Sequence, residues 1–250
     1  MANMTKNAGR RSAPPRAVIF DLDGTLVIST IEFMKFRTRL LSYIRDKVTD
    51  MSGYSTRETT VTMIARFEEE MMAKGVDGRT ISSYLDDIDA FLNEIELENI
   101  EKTICVPGAK ELLRSLNEKN VKVGILTRGS PEYAERALEI AGLDRFVDAT
   151  IARNRKSGIR PKPSPESAFA LAEMLGVPIE DAIMVGDYSI DFVCAKDAGI
   201  RFYGIASDKE SRRSLSEAGC KEILSSLDEF KARVGLWGSG SNPFPGRHVE

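Results

Sequence analysis

The residues with chemistry to offer are carboxylates, hydroxyls and a lysine, and most of them fall just past short apolar runs. Asp21 and Asp23 follow Ala17-Val18-Ile19-Phe20, Thr127 closes Gly124-Ile125-Leu126, and Asp187 follows Ile183-Met184-Val185-Gly186. Lys162 lies between prolines in Arg160-Pro161-Lys162-Pro163, and Asp191 stands four residues after Asp187. Any one of these fits ordinary turn chemistry, because Asp, Thr and Gly are common where strands end. The four at strand ends, Asp21, Asp23, Thr127 and Asp187, together point to one crevice, since ligands of an open α/β sheet bind at the carboxyl ends of its strands. Histidine supplies an exclusion. The chain has a single one, His248, in its C-terminal tail. A Ser-His-Asp triad, a Cys-His pair or a His-based zinc site needs a base or ligand held by packed structure. What remains is the chemistry of carboxylates, lysine, hydroxyls and a hard metal ion.

The elements that must position these groups follow from periodicity. Residues 17–20 read as a strand buried on both faces. From about residue 105, helix and strand alternate: helix over 108–119, strand Val121–Thr127, helix over 131–141, a short strand over 147–151, and helix over 165–175. Strand Ala182–Val185, helix over 189–198 and strand Phe202–Ile205 follow. Gly142, Gly176 and Gly199 stand where helix ends are expected. Alternation of this kind implies parallel strands joined by right-handed crossovers. Residues 28–104 differ, because helical periodicity replaces strand-like runs. Ile81, Tyr84, Leu85, Ile88, Phe91, Leu92 and Ile95 form one apolar stripe; Phe33 to Met51 and Val61 to Met71 suggest two more helices. The expected fold is therefore α/β, a Rossmann-like parallel sheet core with helices on both faces and a small inserted all-helical cap domain. The core comprises 17–27 and 105–234 and the cap 28–104. Residues 1–16 read as a disordered basic arm, and 235–250, which include Trp237, as a flexible tail.

Composition sets the class. The 250 residues are 42% hydrophobic and 29% charged, the balance of a soluble globular protein. A net charge of −3 argues against nucleic acid. No apolar run approaches a membrane span, and the basic N-terminus lacks the apolar stretch of a secretory signal. Cys105, Cys194 and Cys220 form no CxxC pair, which fits a reducing, cytoplasmic location.

The motifs carry a specific resemblance. Asp21-Leu22-Asp23-Gly24-Thr25-Leu26-Val27 resembles the first signature of the haloacid dehalogenase-like hydrolases. Thr127 resembles their second, Lys162 their third, and Gly186-Asp187-Tyr188-Ser189-Ile190-Asp191 their fourth, in the family's order over about residues 16–232. The helical insert is similar to the cap of the family's phosphoglycolate phosphatase-like branch. The resemblance implies a phosphatase acting through an aspartyl-phosphate. Asp21 is then the nucleophile, and Asp23 the acid that protonates the leaving oxygen and later takes a proton from water. A magnesium ion would offset the repulsion between carboxylate and phosphate. Its implied ligands are the Asp21 carboxylate, the Asp23 carbonyl and Asp187. Asp191 reads as a water-mediated metal contact or a partner of Lys162, or else as a plain helix-start carboxylate.

Thr127, Lys162 and Arg128 are the candidate phosphate-binding residues. Ser130-Pro131 and Ser164-Pro165 mark two helix starts beside them, with Ser at the N-cap and Pro at the first helical position. Two departures from the family pattern stand out. Arg128 replaces the common Asn, and it reads equally as a ligand for a second anionic group or as solvated. Ile28 replaces an Asp found in many capped members, at the entry to the cap. Asp23 favours phosphate over halide, because a halide leaves without a proton.

The cap carries 10 Lys/Arg against 15 Asp/Glu, which gives no support to a polyanionic polymer as substrate. Lys35, Arg37 and Arg39 read as a solvated helix face or as holders of a second anion. Glu68-Glu69-Glu70 and Asp86-Asp87-Asp89 read as solvated faces, and Met63, Met71 and Met72 as core filler. The expected substrate is a small phosphomonoester, phosphoglycolate-like. No nucleic acid or membrane partner is expected, and the chain reads as monomer or homodimer. A sugar phosphomutase of the same fold, and a non-catalytic binding protein, are the alternatives.

Overall fold

The computed structural model describes residues 15–235. Most of the arm, the tail, Trp237 and His248 lie outside the described residues.

Strand β1 (Ala17–Phe20) is fully buried and sits in the middle of the sheet. It pairs in parallel with β4 (Lys122–Leu126) on one side and β6 (Ala182–Gly186) on the other. Beyond β4 lies β5 (Ala149–Ile151); beyond β6 lie β7 (Arg201–Ile205) and β8 (Ile223–Leu224). All five pairings are parallel. The order β5-β4-β1-β6-β7-β8 reverses direction at β1, so the crevice of the switch point opens at its carboxyl end.

Alternate side chains of β1 feed opposite cores, as the strand period of two requires. Val18 and Phe20 join α4 (Ala109–Glu118), α5 (Pro131–Ala141) and α9 (Leu227–Arg233). Ala17 and Ile19 join α6 (Glu166–Met174), α7 (Ser189–Asp197) and α8 (Lys209–Glu217).

The insert leaves and returns through a two-stranded antiparallel ribbon, β2 (Val27–Ile28) and β3 (Ile104–Cys105). Between them run α1 (Phe33–Arg45), α2 (Thr60–Ala73) and α3 (Gly78–Leu97), packed around a separate apolar cluster that includes Phe36, Leu40, Phe67, Leu85 and Phe91. Thr59 and Asp77 cap α2 and α3 by accepting backbone N–H bonds.

Local departures from the sequence expectations have physical causes. α1 stops at Arg45, so Val48 and Met51 pack from a turn, where Asp50 takes the Ser52 N–H at 2.8 Å. α6 begins at Glu166, one residue later than the Ser-Pro rule places it; Ser164 Oγ still accepts the Glu166 N–H at 3.3 Å. Met63 and Met71 are core residues, but Met72 is exposed, because it follows Met71 by one position and so turns away from the stripe.

Candidate active site

The strand ends deliver the carboxylates to one place. The Asp21 N–H bonds to the Val185 carbonyl at 2.9 Å, so β1 stays extended one residue past its end and Asp21 remains beside β6. Gly24 then turns the chain with φ of 78°. A Cβ at Gly24 would lie 2.2 Å from Asp187 Oδ2, so only glycine lets the two loops close on each other. Gly186 works likewise: a Cβ there would come within 2.6 Å of Asp191.

Asp21, Asp187 and Asp191 each offer a carboxylate oxygen, all within 4.8 Å of one another. Lys162, 1% exposed, bonds to Asp21 and to Asp191 Oδ1, the latter at 2.7 Å. Asp191 also accepts the Tyr188 N–H at 3.1 Å, so it stands in the first turn of α7 with both oxygens engaged. Both readings of Asp191 as helix-start carboxylate and as partner of Lys162 are realised together.

Burial dominates the electrostatics. It raises the pKa of Asp21 against the opposing field of Lys162, with Asp23 adding to the rise. Asp187 is pushed up to about 9, first by burial and then by Asp21 and Asp191, and Asp191 to about 6 by burial. On Lys162 burial works against the charge, but Asp191 and Asp21 outweigh it and hold the ammonium above its ordinary range. Lys162 bonds to two of the three carboxylates and leaves Asp187 without that contact. Three converging hard oxygen donors, one of them forced toward its neutral form, fit a divalent cation of the magnesium type.

Asp23 stands outside this cluster. Its Oδ1 accepts the Tyr133 hydroxyl, and the Ser29 hydroxyl faces the same carboxyl. Burial raises its pKa; Tyr133 and Ser29 oppose the rise. Thr127 is buried, and its Oγ1 accepts the Gly129 N–H at 3.0 Å, which tightens the loop after β4. Ser130 then caps α5 by accepting the Tyr133 N–H at 3.3 Å. Arg128 is half-buried rather than solvated. Burial, with the neighbouring charge of Arg153, brings its pKa down to about 10, while Asp191, Asp21 and Glu96 oppose the fall. Its charge therefore lies within electrostatic reach of Asp191, Asp21 and Glu96. The Lys162–Pro163 peptide is cis.

Sequence reasoning missed the contact between cap and core. Glu96, on the last turn of α3, is 2% exposed. It accepts the Ser130 N–H at 2.9 Å and a bond from Arg153 Nη1 at 2.8 Å. Arg153 also reaches Asn93 at 2.6 Å, Asp89 at 3.3 Å and the Arg128 carbonyl at 3.2 Å. Asp89 is accordingly part-buried and paired, not solvated, because Arg153 and Arg155 face it across the interface. Glu70 is likewise engaged, by Tyr54 and Lys74. A signal for Glu96 existed: it continues the buried positions Ile88 and Leu92 at four-residue spacing, so a charge there needs a partner. Nothing in the polar stretch around Arg153 marked that partner.

Lys35, Arg37 and Arg39 of α1 are engaged within the cap. Lys35 pairs with Glu98, Arg37 reaches the Thr56 carbonyl at 3.3 Å, and Arg39 pairs with Glu94 at 3.1 Å. A groove of about 630 Å³, lined by Glu135, Leu138, Thr150 and Asn154 among others, runs along edge strand β5; none of the site carboxylates lines it.

Comparison with known proteins places this geometry in context. A model of the family described as haloacid dehalogenase-like hydrolase matches residues 18–205. The chain is 30% identical over 220 residues to the pyrophosphatase PpaX of Listeria monocytogenes, covering 87% of this chain and 95% of that one. It is 27% identical to validoxylamine A 7'-phosphate phosphatase of Streptomyces hygroscopicus, covering 86% of this chain and 96% of that one. It is 25% identical to a phosphoglycolate phosphatase of Pseudomonas fluorescens, covering 85% of this chain and 77% of that one.

Proposed function

The chain belongs to the haloacid dehalogenase-like hydrolases, and from that premise we propose a magnesium-dependent phosphatase that hydrolyses a small phosphorylated metabolite through an aspartyl-phosphate. The observation that carries the reading is the convergence of Asp21, Asp187 and Asp191 on one point, with Lys162 bonded to Asp21. Phosphomonoesters hydrolyse very slowly in water, so a large barrier reduction is required.

Asp21 attacks phosphorus, and the ester oxygen leaves with a proton from Asp23. Water then attacks the aspartyl-phosphate while Asp23 takes its proton, which returns both carboxylates to their starting states. Lys162 holds Asp21 in place and neutralises charge that develops on the phosphoryl oxygens. Thr127 and the backbone N–H groups after β4 supply further donors. Asp21, Asp187, Asp191 and the Asp23 carbonyl would hold magnesium, which screens the approach of carboxylate to phosphate. Arg128 suits a substrate with a second anionic group, such as the carboxylate of phosphoglycolate. Three relatives with different named substrates support the phosphatase class rather than one metabolite.

The test is phosphate release from a phosphomonoester panel, with magnesium and with a chelator, ranked by kcat/KM. Metal-dependent turnover with preference for small anionic esters is expected. Inactivity across the panel with magnesium present overturns the proposal.

A further inference from the structure

We propose that Tyr133 is a positioning residue for Asp23, holding the carboxyl that protonates the departing oxygen. The inference rests on the phosphatase reading above. Tyr133 lies in the first turn of α5, fully buried within the apolar cluster that covers one face of the sheet. A buried phenol hydroxyl needs an acceptor, and this one donates to Asp23 Oδ1 across 110 positions of chain. The ring is fixed from several sides. Its backbone N–H is held by Ser130 Oγ at 3.3 Å, and the Ser130 N–H is held in turn by Glu96 at 2.9 Å. A Cβ at position 129 would sit 2.5 Å from the ring, so Gly129 is what lets the ring lie against the phosphate-side loop. Asp23 has no ion pair with Lys162, which contacts Asp21 and Asp191 instead. Neutral O–H donors are therefore its anchors, Tyr133 first and the Ser29 hydroxyl beside it.

The chemistry makes this anchor specific. As the Asp21 oxygen bonds to phosphorus, the P–O bond to the leaving group breaks and the Asp23 proton passes to that oxygen. Asp23 becomes a carboxylate, and the Tyr133 hydroxyl donates to the charge just formed; the tyrosine proton stays on its own oxygen. An alkoxide leaving group depends on that proton, whereas a nitrophenolate departs without one. Removing the hydroxyl should therefore penalise esters according to leaving group, which a packing defect would not do.

The experiment compares Tyr133→Phe with the unaltered enzyme, using kcat/KM for a simple alkyl phosphate and for para-nitrophenyl phosphate with magnesium. The phenyl ring stays in place, and the aryl ester reports an intact site in the same sample. The expected result is a fall of about 10-fold in the alkyl-to-aryl ratio of kcat/KM, a part of the ~10²–10⁴ that a positioned acid contributes. In an Asp23→Asn background the same substitution should leave that ratio unmoved. Equal losses on both esters, no loss on either, or a further change of ratio without Asp23 overturns the inference alone. Inactivity of the unaltered enzyme on both esters overturns the phosphatase reading and this inference with it.

Discussion

Core and cap of this protein are built on opposite terms. The core buries ionisable groups: Asp21, Lys162 and Asp191 are each under one-tenth exposed, wedged where β1 and β6 end. The cap buries aromatic, aliphatic and methionine side chains around Phe67 and Met63, and it pairs charges such as Lys35 with Glu98 and Arg66 with Glu58 near its own surface. Its apolar cluster is distinct from the two that flank the sheet, and Ile31 beside the β2–β3 ribbon is a residue that packs against both cap and core. Glu96 is the exception, a cap carboxylate buried against the core. The lesson is a division of labour. The carboxylates and lysine of the proposed site gather around the ends of β1 and β6, while the helical module keeps an apolar cluster of its own.

The sharpest way to break this division is Asp21→Asn. Phosphate release should fall by at least about 10⁴-fold, on the scale of losing other enzymes' nucleophiles. The thermal midpoint should hold or rise, because the substitution removes a buried charge from a crowded acidic site. Turnover that survives in a colorimetric phosphate assay would remove Asp21 from the mechanism.

Phe67→Ala probes the other half. Phe67 is fully buried in the cap cluster, so its truncation should cost about 3–5 kcal/mol of cap stability, measured by denaturant titration. Below the new unfolding transition the enzyme should still hydrolyse para-nitrophenyl phosphate, since no carboxylate of the site is carried by α2. Loss of that activity while the variant remains folded would merge the two regions.

Arg153→Ala addresses the exception. It leaves Glu96 buried with the Ser130 N–H as its remaining partner, and should destabilise by about 3 kcal/mol, the lower end for a broken buried pair. Glu96→Gln in the Arg153→Ala background should recover part of that loss. If it recovers none, the penalty is not that of an uncompensated charge.

A metal and pH experiment tests the core's excess of carboxylates. Asp187 near 9 and Asp191 near 6 both titrate above an unfolded aspartate at about 3.9. The folded chain therefore binds more protons than the unfolded one between these values. Stability without metal should fall as pH rises from about 4 through about 9. Magnesium requires the ionised carboxylates, so the gain in Tm on adding it should be larger near pH 8.5 than near pH 6. A gain independent of pH would contradict the electrostatics described. The smallest effect belongs to the cap surface: Arg39→Ala should cost no more than about 1 kcal/mol, because its pair with Glu94 is exposed.

Several features were beyond reading from local windows. β2, β3 and β8 are two residues each, too short to show a period of two. The register Val27↔Cys105 joins chain segments separated by the whole cap, and no local pattern encodes that pairing. α8 is a largely polar run that buries only Ser211 and Leu215, so its apolar signal is thin.

By itself the sequence determined the α/β alternation, the helical insert and the candidates Asp21, Asp23, Thr127, Lys162, Asp187 and Asp191. The alternation, the insert and the strand-end residues Asp21, Asp23, Thr127 and Asp187 were legible because periodicity and strand-end composition are local properties; Lys162 and Asp191 were legible through motifs that resemble the family's signatures. Only the tertiary structure decided that Arg128 is half-buried beside the charge of Arg153, that Glu96 is buried against Arg153 and Ser130, and that the Tyr133 hydroxyl meets Asp23. Those relations join side chains far apart along the chain, and they exist only once packing has removed the water that would otherwise separate them.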